Sequence, residues 1–294
     1  MKLKQKLVLS LKIIGMLWII SSVIAMFFSV DTDFASGNVA VIPIYGVITT
    51  TRENSFSSGV VTSDDIIESL DKADNNPAIK AILLDINSPG GSGVAADEIG
   101  QKIKSLNKTT ISVIRDVGAS AAYWIASTTD YIFANKLSFT GSIGATGSYL
   151  EFSKFLQEYN ISYQRFVSGE LKDMGSALKE PTETEREIYQ KIIDDAKDIF
   201  VEEVALNRNL TIEAVDEMAT GQIYLGKDAL GLKLIDELGT KQDALTYIEE
   251  NLNITANLVE YKQKKSFSDL LTDFRSSLTP KIGKFINPAP LILQ

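Results

Sequence analysis

The chain has 294 residues, and neither histidine nor cysteine is among them. Without imidazole there is no Ser-His-Asp relay and no His-ligated metal site. Without thiols there is no disulfide, no thiolate nucleophile and no thiolate metal site. Positive charge is scarce as well: 29 Lys and Arg stand against 38 Asp and Glu, leaving a formal charge of −9. That balance excludes a surface built for nucleic acid, which needs clustered Lys and Arg to meet phosphates. No tract is of low complexity, no half of the chain repeats the other, and no residue pattern calls for a metal or an organic cofactor. What is plentiful is apolar surface. A hydrophobic content of 45% supports one sizeable domain of roughly 200 residues plus extensions.

The longest uncharged run lies near the start. Lys2, Lys4, Lys6 and Lys12 precede "IIGMLWIISSVIAMFFSV", Ile13 to Val30. As a helix this run spans about 27 Å, enough for a bilayer core. The nearest small-x-small cleavage candidate, Ala35 to Gly37, sits behind Asp31 and Asp33, which favours a retained anchor over a removed signal peptide. A buried core helix would carry a polar face, and this run has none. Lysines ahead of the span place the N-terminus in the cytoplasm and the remainder outside. The expected organisation is therefore a basic end and transmembrane anchor over 1–30, a tether over 31–38, a globular domain over 39–250 and a C-terminal extension over 251–294. The tether reaches at most about 28 Å, so the domain stays close to the bilayer.

Within that domain, apolar runs of strand length alternate with helical patterns. Strands are expected at Ala40–Thr49, Ala78–Asn87, Thr110–Ile114, Tyr131–Ala134 and Ser162–Val167. Helices are expected at Ser63–Ala73, opened by an N-cap serine, at Val94–Leu106, from about Ala119 and near Tyr149–Tyr159. A long, capped amphipathic helix then covers Thr182–Arg208. Strands alternating with helices imply parallel βαβ units, whose reactive groups gather beyond the carboxyl ends of strands. "SPGG" (Ser88–Gly91) and "GAS" (Gly118–Ser120) both fall there. Asp85, Asp97 and Glu98 read as solvated or capping carboxylates.

Ser120 thus stands where a nucleophile would, between an apolar strand and a helix. In a chain without histidine its practical activators are a carboxylate or a desolvated lysine. A lysine base must be neutral; bringing its pKa from about 10.4 to about 7.5 requires roughly 4 kcal/mol, within reach of burial among apolar neighbours. Taken alone, Ser120 could equally be a small residue in tight packing, Lys172 a solvated lysine, Ser142 a turn cap and Gly90–Gly91 a plain turn.

Five blocks in order narrow the choice: "INSPGG" (Ile86–Gly91), "GASAAYWIAS" (Gly118–Ser127), "TGSIGA" (Thr140–Ala145), "SGELKDMGS" (Ser168–Ser176) and "GQIYLGKDALGLKLIDELG" (Gly221–Gly239). Together, over about Val39 to Ile248, they resemble the signal peptide peptidase A family in its short form. The resemblance implies a membrane-anchored serine–lysine protease of α/β class, with ClpP/crotonase-like repeated ββα units, a parallel sheet, an N-terminal transmembrane helix and a helical C-terminal part. It implies Ser120 as nucleophile and Lys172, 52 residues later, as general base. It also implies Ser142 as a support for the lysine amine, and the N–H groups of Gly91 and Ala121 as the oxyanion hole. The family usually has two glycines after the serine; here Ala121 and Ala122 stand there, and the hole survives where the backbone needs no positive φ. The implied partners are peptide substrates, remnant signal peptides above all, together with the membrane and further copies of the chain. A crotonase-like acyl-CoA enzyme and a non-catalytic membrane scaffold are the alternatives on the same fold.

Overall fold

The computed structural model describes residues 12–19, 37–51 and 59–261, together with Gln5 and Ser21. The chain divides into two compact units, Met1–Ser36 and Gly37–Gln294. In the first, residues 12–19 are helical, with Ile13, Ile14, Met16, Leu17, Trp18 and Ile19 all exposed. Among the described residues no helix is long and apolar enough to cross a membrane. Of the expected span Ile13–Val30, most positions after 19 lie outside the described residues, as does everything from 262 onward.

The second unit has strands β1 (Val39–Thr49), β2 (Val60–Thr62), β3 (Ala81–Gly91), β4 (Thr109–Ala119), β5 (Tyr131–Ala134), β6 (Phe139–Gly141), β7 (Ile223–Leu225), β8 (Glu237–Leu238) and β9 (Leu258–Glu260). Its helices are α1 (Ser63–Asn75), α2 (Gly93–Lys104), α3 (Ala121–Ser127), α4 (Ser153–Glu158), α5 (Glu183–Arg208), α6 (Ile212–Met218), α7 (Gly226–Gly231) and α8 (Lys241–Leu252). The main sheet runs β2-β1-β3-β4-β5-β8. Each neighbouring pair in it is parallel, so the α/β class with a parallel sheet is found. β9, past residue 250, joins β1 in parallel.

Period-2 alternation explains why these strands read as continuous apolar runs. Ala40, Ile42 and Ile44 of β1 and Ile82, Leu84 and Ile86 of β3 belong to one core, shared with α1, α2, α3 and α5. Val39, Val41, Ala81 and Leu83 point the other way, into a second core with Ala244, Leu245 and Ile248 of α8. Both faces are covered, which is the condition under which parallel strands lose their polar alternation. The register breaks between Tyr45 and Val47 in β1 and between Ile86 and Ser88 in β3. Before the breaks the outer neighbours are β9 and β5; beyond them they are β2 and β6. The long strands therefore serve two sets of partners, one on each side of the register breaks.

Three expectations are corrected. α1 is capped by Thr62, whose hydroxyl accepts from the Asp65 N–H, and Ser63 is its first helical residue. The run Ser162–Val167 forms no strand: every residue in it is exposed, and a segment with no sheet edge to bond has no reason to be regular. Asp85 is not solvated but 2% exposed. Lys241 at the start of α8 donates to it at 2.8 Å, and Arg115 lies 3.5 Å away. This buried carboxylate ties α8 to the sheet. Partial burial, and then the nearby Asp85 charge, push the Tyr45 phenol up to about 12.

β4 turns into α3 at Ser120, which has φ 55 and ψ −128. Side chains disfavour that region, at a cost of about 1–3 kcal/mol, whereas glycine occupies it freely. Ser120→Gly should therefore unfold at a higher urea midpoint than Ser120→Ala, corresponding to a stability difference of about 1 kcal/mol. Equal midpoints would mean that the elbow stores no strain.

Candidate active site

Ser120 is half-buried at the carboxyl end of β4. Its N–H donates to the Gly141 carbonyl at 2.8 Å, and its own carbonyl accepts from Trp124 N–H at 3.0 Å. The first bond fastens the elbow to the end of β6; the second opens α3. Because Ser120 itself carries the positive φ, Ala121 and Ala122 are ordinary helical residues and appear nowhere among the positive-φ positions. The alanines that replace the usual glycines therefore fit without strain. Ala121, first in α3, has no preceding turn to receive its N–H.

The "PGG" turn closes on the same point. Gly90 has φ 107, and a Cβ there would sit 2.8 Å from both the Ala119 carbonyl and Ser120 Cβ, and 3.0 Å from Ala121 N. Its N–H is taken by Ser88 Oγ at 3.1 Å. Gly91 is exposed, and a Cβ there would lie 2.0 Å from the Ile48 carbonyl. The two glycines are thus required for different reasons: Gly90 lets the turn press against Ser120, and Gly91 lets it pass β1. Sequence reasoning singled out Gly91 and gave Gly90 no separate part.

Ser142 follows β6 with φ 53, donating its N–H to Gln222 O at 2.8 Å. It lines, with Ser120, a cavity of about 600 Å³ that also includes Gly144, Thr146, Ile193 and Lys197. Four expected site residues, Ser120, Ala121, Gly91 and Ser142, therefore fall at neighbouring strand ends.

Lys172 is not brought to them. It is exposed in a turn, its N–H donating to Gly169 O at 3.0 Å, and it does not line the Ser120 cavity. The lysine that does is Lys197 of α5, paired to Asp216 Oδ1 at 2.5 Å. The hydrogen bond that Lys197 donates to Asp216 raises the Lys197 pKa, so this amine stays protonated and is a poor base. Sequence reasoning missed Lys197. Gln190, Ile193, Asp194 and Lys197 share one helical face by their i, i+3, i+4, i+7 spacing, but with three polar members that face reads as solvated.

Comparison with known proteins agrees with the geometry. The profile described as Peptidase family S49 matches residues 102–255, a stretch that holds Ser120, Ser142 and Lys172. A protein of Enterococcus faecium named signal peptide peptidase SppA is 35% identical over 239 residues, 80% of this chain and 70% of that one. A protease of Methanocaldococcus jannaschii is 34% identical over 66% of this chain and 64% of its own length. Protease 4 of Haemophilus influenzae is 32% identical over 86% of this chain, which spans 43% of that longer protein. Among solved structures, a ClpP1 mutant from Listeria monocytogenes aligns with a TM-score of 0.47 at 17% identity, over 69% of this chain and 92% of that one. With its motifs in order, its strand-end serine and these relatives, the chain belongs to peptidase family S49.

Proposed function

We propose that this peptidase is a membrane-held serine endopeptidase that cleaves apolar peptides, remnant signal peptides among them, at the extracytoplasmic face, with Ser120 as nucleophile and Lys172 as general base. The observation that carries the reading is the setting of Ser120: a strained elbow in a His-free chain, with the Gly90 turn pressed against it and Ser142 lining the same cavity. The ClpP/crotonase-like arrangement of ββα units belongs to the same reading, supported by the two sets of strand partners on either side of the register breaks. The membrane assignment draws on the lysines and the apolar run Ile13–Val30. The substrate class draws on the name of the Enterococcus faecium relative.

In this mechanism the Ser120 hydroxyl attacks the scissile carbonyl carbon as a neutral lysine amine takes its proton. The tetrahedral oxyanion is met by the N–H groups of Gly91 and Ala121, each donor worth about 3 kcal/mol. Collapse expels the peptide amine, which takes the proton back from the ammonium. Water then attacks the Ser120 ester by the same route.

Lys172 acts in this scheme on Ser120 of a neighbouring copy. Within one chain its amine bonds no other described group and lies outside the Ser120 cavity. The segment from Gln157 to Lys172 is exposed throughout, with Phe166 at 89%. Apolar side chains displayed in this way suit an interface between copies. A second reading, a non-catalytic scaffold, rests on the same separation of Lys172 from Ser120. Covalent labelling of wild-type protein by a fluorophosphonate, lost in Ser120→Ala, distinguishes enzyme from scaffold.

Three outcomes are expected. Ser120→Ala and Lys172→Met should each be inactive, yet after dissociation and joint reassembly an equal mixture should recover about a quarter of wild-type turnover, because each site draws on two copies. A dead mixture would place the base within the same chain; turnover in Lys172→Met alone would remove it from the mechanism. Ser142→Ala should lower kcat/KM about tenfold or more by loosening the amine, and unchanged kinetics would return Ser142 to a turn-forming role. Removing residues up to Asp33 should release a soluble protein that still cleaves short apolar peptides, and insolubility of every such truncation would overturn the anchor assignment.

A further inference from the structure

The turn that carries Lys172 has almost nothing of its own to hold it. Its backbone bonds are short i to i+3 closures: Lys172 N–H to Gly169 O at 3.0 Å, Met174 N–H to Leu171 O at 3.1 Å and Ser176 N–H to Asp173 O at 3.0 Å. Gly169 to Lys172 are exposed and only the far end of the turn, where Gly175 lies close to the Tyr189 hydroxyl, meets α5, so the half that carries the lysine is by itself a few-state structure in water. A base that must meet a serine within hydrogen-bond reach cannot be carried on so loose a support.

Charge closes the turn instead. Arg165 Nε donates to Asp173 Oδ2 at 2.6 Å and Arg165 Nη2 to Asp173 Oδ1 at 2.9 Å, the two-point fork that guanidinium makes with carboxylate. The same Nη2 donates to the Glu170 carbonyl at 2.8 Å. Lys172 lies between the two residues that Arg165 grips. Asp173 also meets Lys179 Nζ at 3.3 Å, and Lys179 pairs at 2.5 Å with Glu185, which is buried. Glu185 in turn accepts from Thr182 N–H at 2.9 Å in the capping box of α5. The Lys172 turn is thus wired to the helix whose Ile193 and Lys197 bound the Ser120 cavity.

We propose that Arg165 and Asp173 are positioning residues for Lys172: their fork holds the 169–175 turn in the one shape that presents the Lys172 amine to the nucleophile. This rests on Lys172 being the base. Most surface ion pairs are worth little, but a bidentate arginine in a connected network is the exception, and here the Asp173 side chain is only 15% exposed. The arrangement has a second effect. Hydrogen bonds from Arg165 and then Lys179 hold the Asp173 carboxyl well below the usual carboxylate range, and both cations keep that charge occupied. A freed Asp173 would instead become a partner for the ammonium beside it and oppose loss of its proton. The other charged side chains of this turn and its support are Glu170 and Glu185, and Glu185 is already paired.

The test uses full-length Arg165→Gln, Arg165→Lys and Asp173→Asn, measured with Lys172→Met. Arg165→Gln and Asp173→Asn should lose about tenfold or more in kcat with KM within about twofold, since presentation of the base, not peptide binding, is disturbed. Arg165→Lys, which keeps the charge and loses the fork, should not restore kcat. The pH at half-maximal kcat/KM should rise in Arg165→Gln, where Asp173 keeps Lys179 alone as its partner, and not in Asp173→Asn, where the carboxylate is gone. A purely structural role would not separate those two profiles. Wild-type kcat in Arg165→Lys, or wild-type kcat and pH profile in folded Arg165→Gln and Asp173→Asn beside a dead Lys172→Met, would overturn the positioning role alone. Turnover in Lys172→Met would overturn the base assignment, and the positioning role with it.

Discussion

One backbone hydrogen bond organises the catalytic end of this molecule: the Ser120 N–H given to the Gly141 carbonyl. It joins the last residue of β6 to the elbow after β4, and so sets Ser142 beside Ser120 at one cavity. It also lets the elbow hold a φ that serine does not choose for itself. The strain is contained because α3, immediately behind, is buried along its whole length. Tyr123 donates its hydroxyl to the Leu234 carbonyl at 2.8 Å, and Trp124 stacks on Phe200 at 5.0 Å. A side chain on so fixed a support would, as the proposed nucleophile, meet its substrate with little reorganisation to complete.

The long helix α5 serves several ends of the structure at once. Its capping box, through Glu185, anchors the Lys179–Asp173–Arg165 chain; its middle borders the Ser120 cavity; Phe200, Val201 and Val204 seat it on the core. Its last turn is held by Arg208, which makes a two-point pair with Asp236 at 3.0 and 2.7 Å. Rigid elements transmit position better than loops do. The Ser120 cavity and the ion-pair chain beside Lys172 are thereby both referred to one helix.

Much of this was legible in the chain itself. The apolar runs of β1, β3, β4 and β5 and the capped pattern of α5 follow from local rules that the tertiary structure only reinforces. Ser162–Val167 misled because a β-branched and aromatic run looks the same whether or not a sheet edge awaits it. Asp85 misled in the opposite sense, since its partners Arg115 and Lys241 lie far along the chain and burial of a carboxylate shows only when they arrive. Lys197 was invisible because a lysine on a polar helical face is nearly always solvated.

The sequence by itself determined the chemistry available: a His-free, Cys-free chain with one serine at a strand-to-helix junction, a glycine pair after a parallel strand and a lysine in an ordered set of motifs. Those are matters of residue identity and short-range spacing. The tertiary structure decided which groups meet. It put Gly90 rather than Gly91 against Ser120, let Ser120 carry the positive φ that spares the two alanines, and set Lys197 in the cavity with its proton held by Asp216. It also left Lys172 on an exposed turn closed by Arg165 and Asp173. The reason is that strand order, the register breaks in β1 and β3 and the path of α5 depend on contacts between distant segments, which no local pattern encodes.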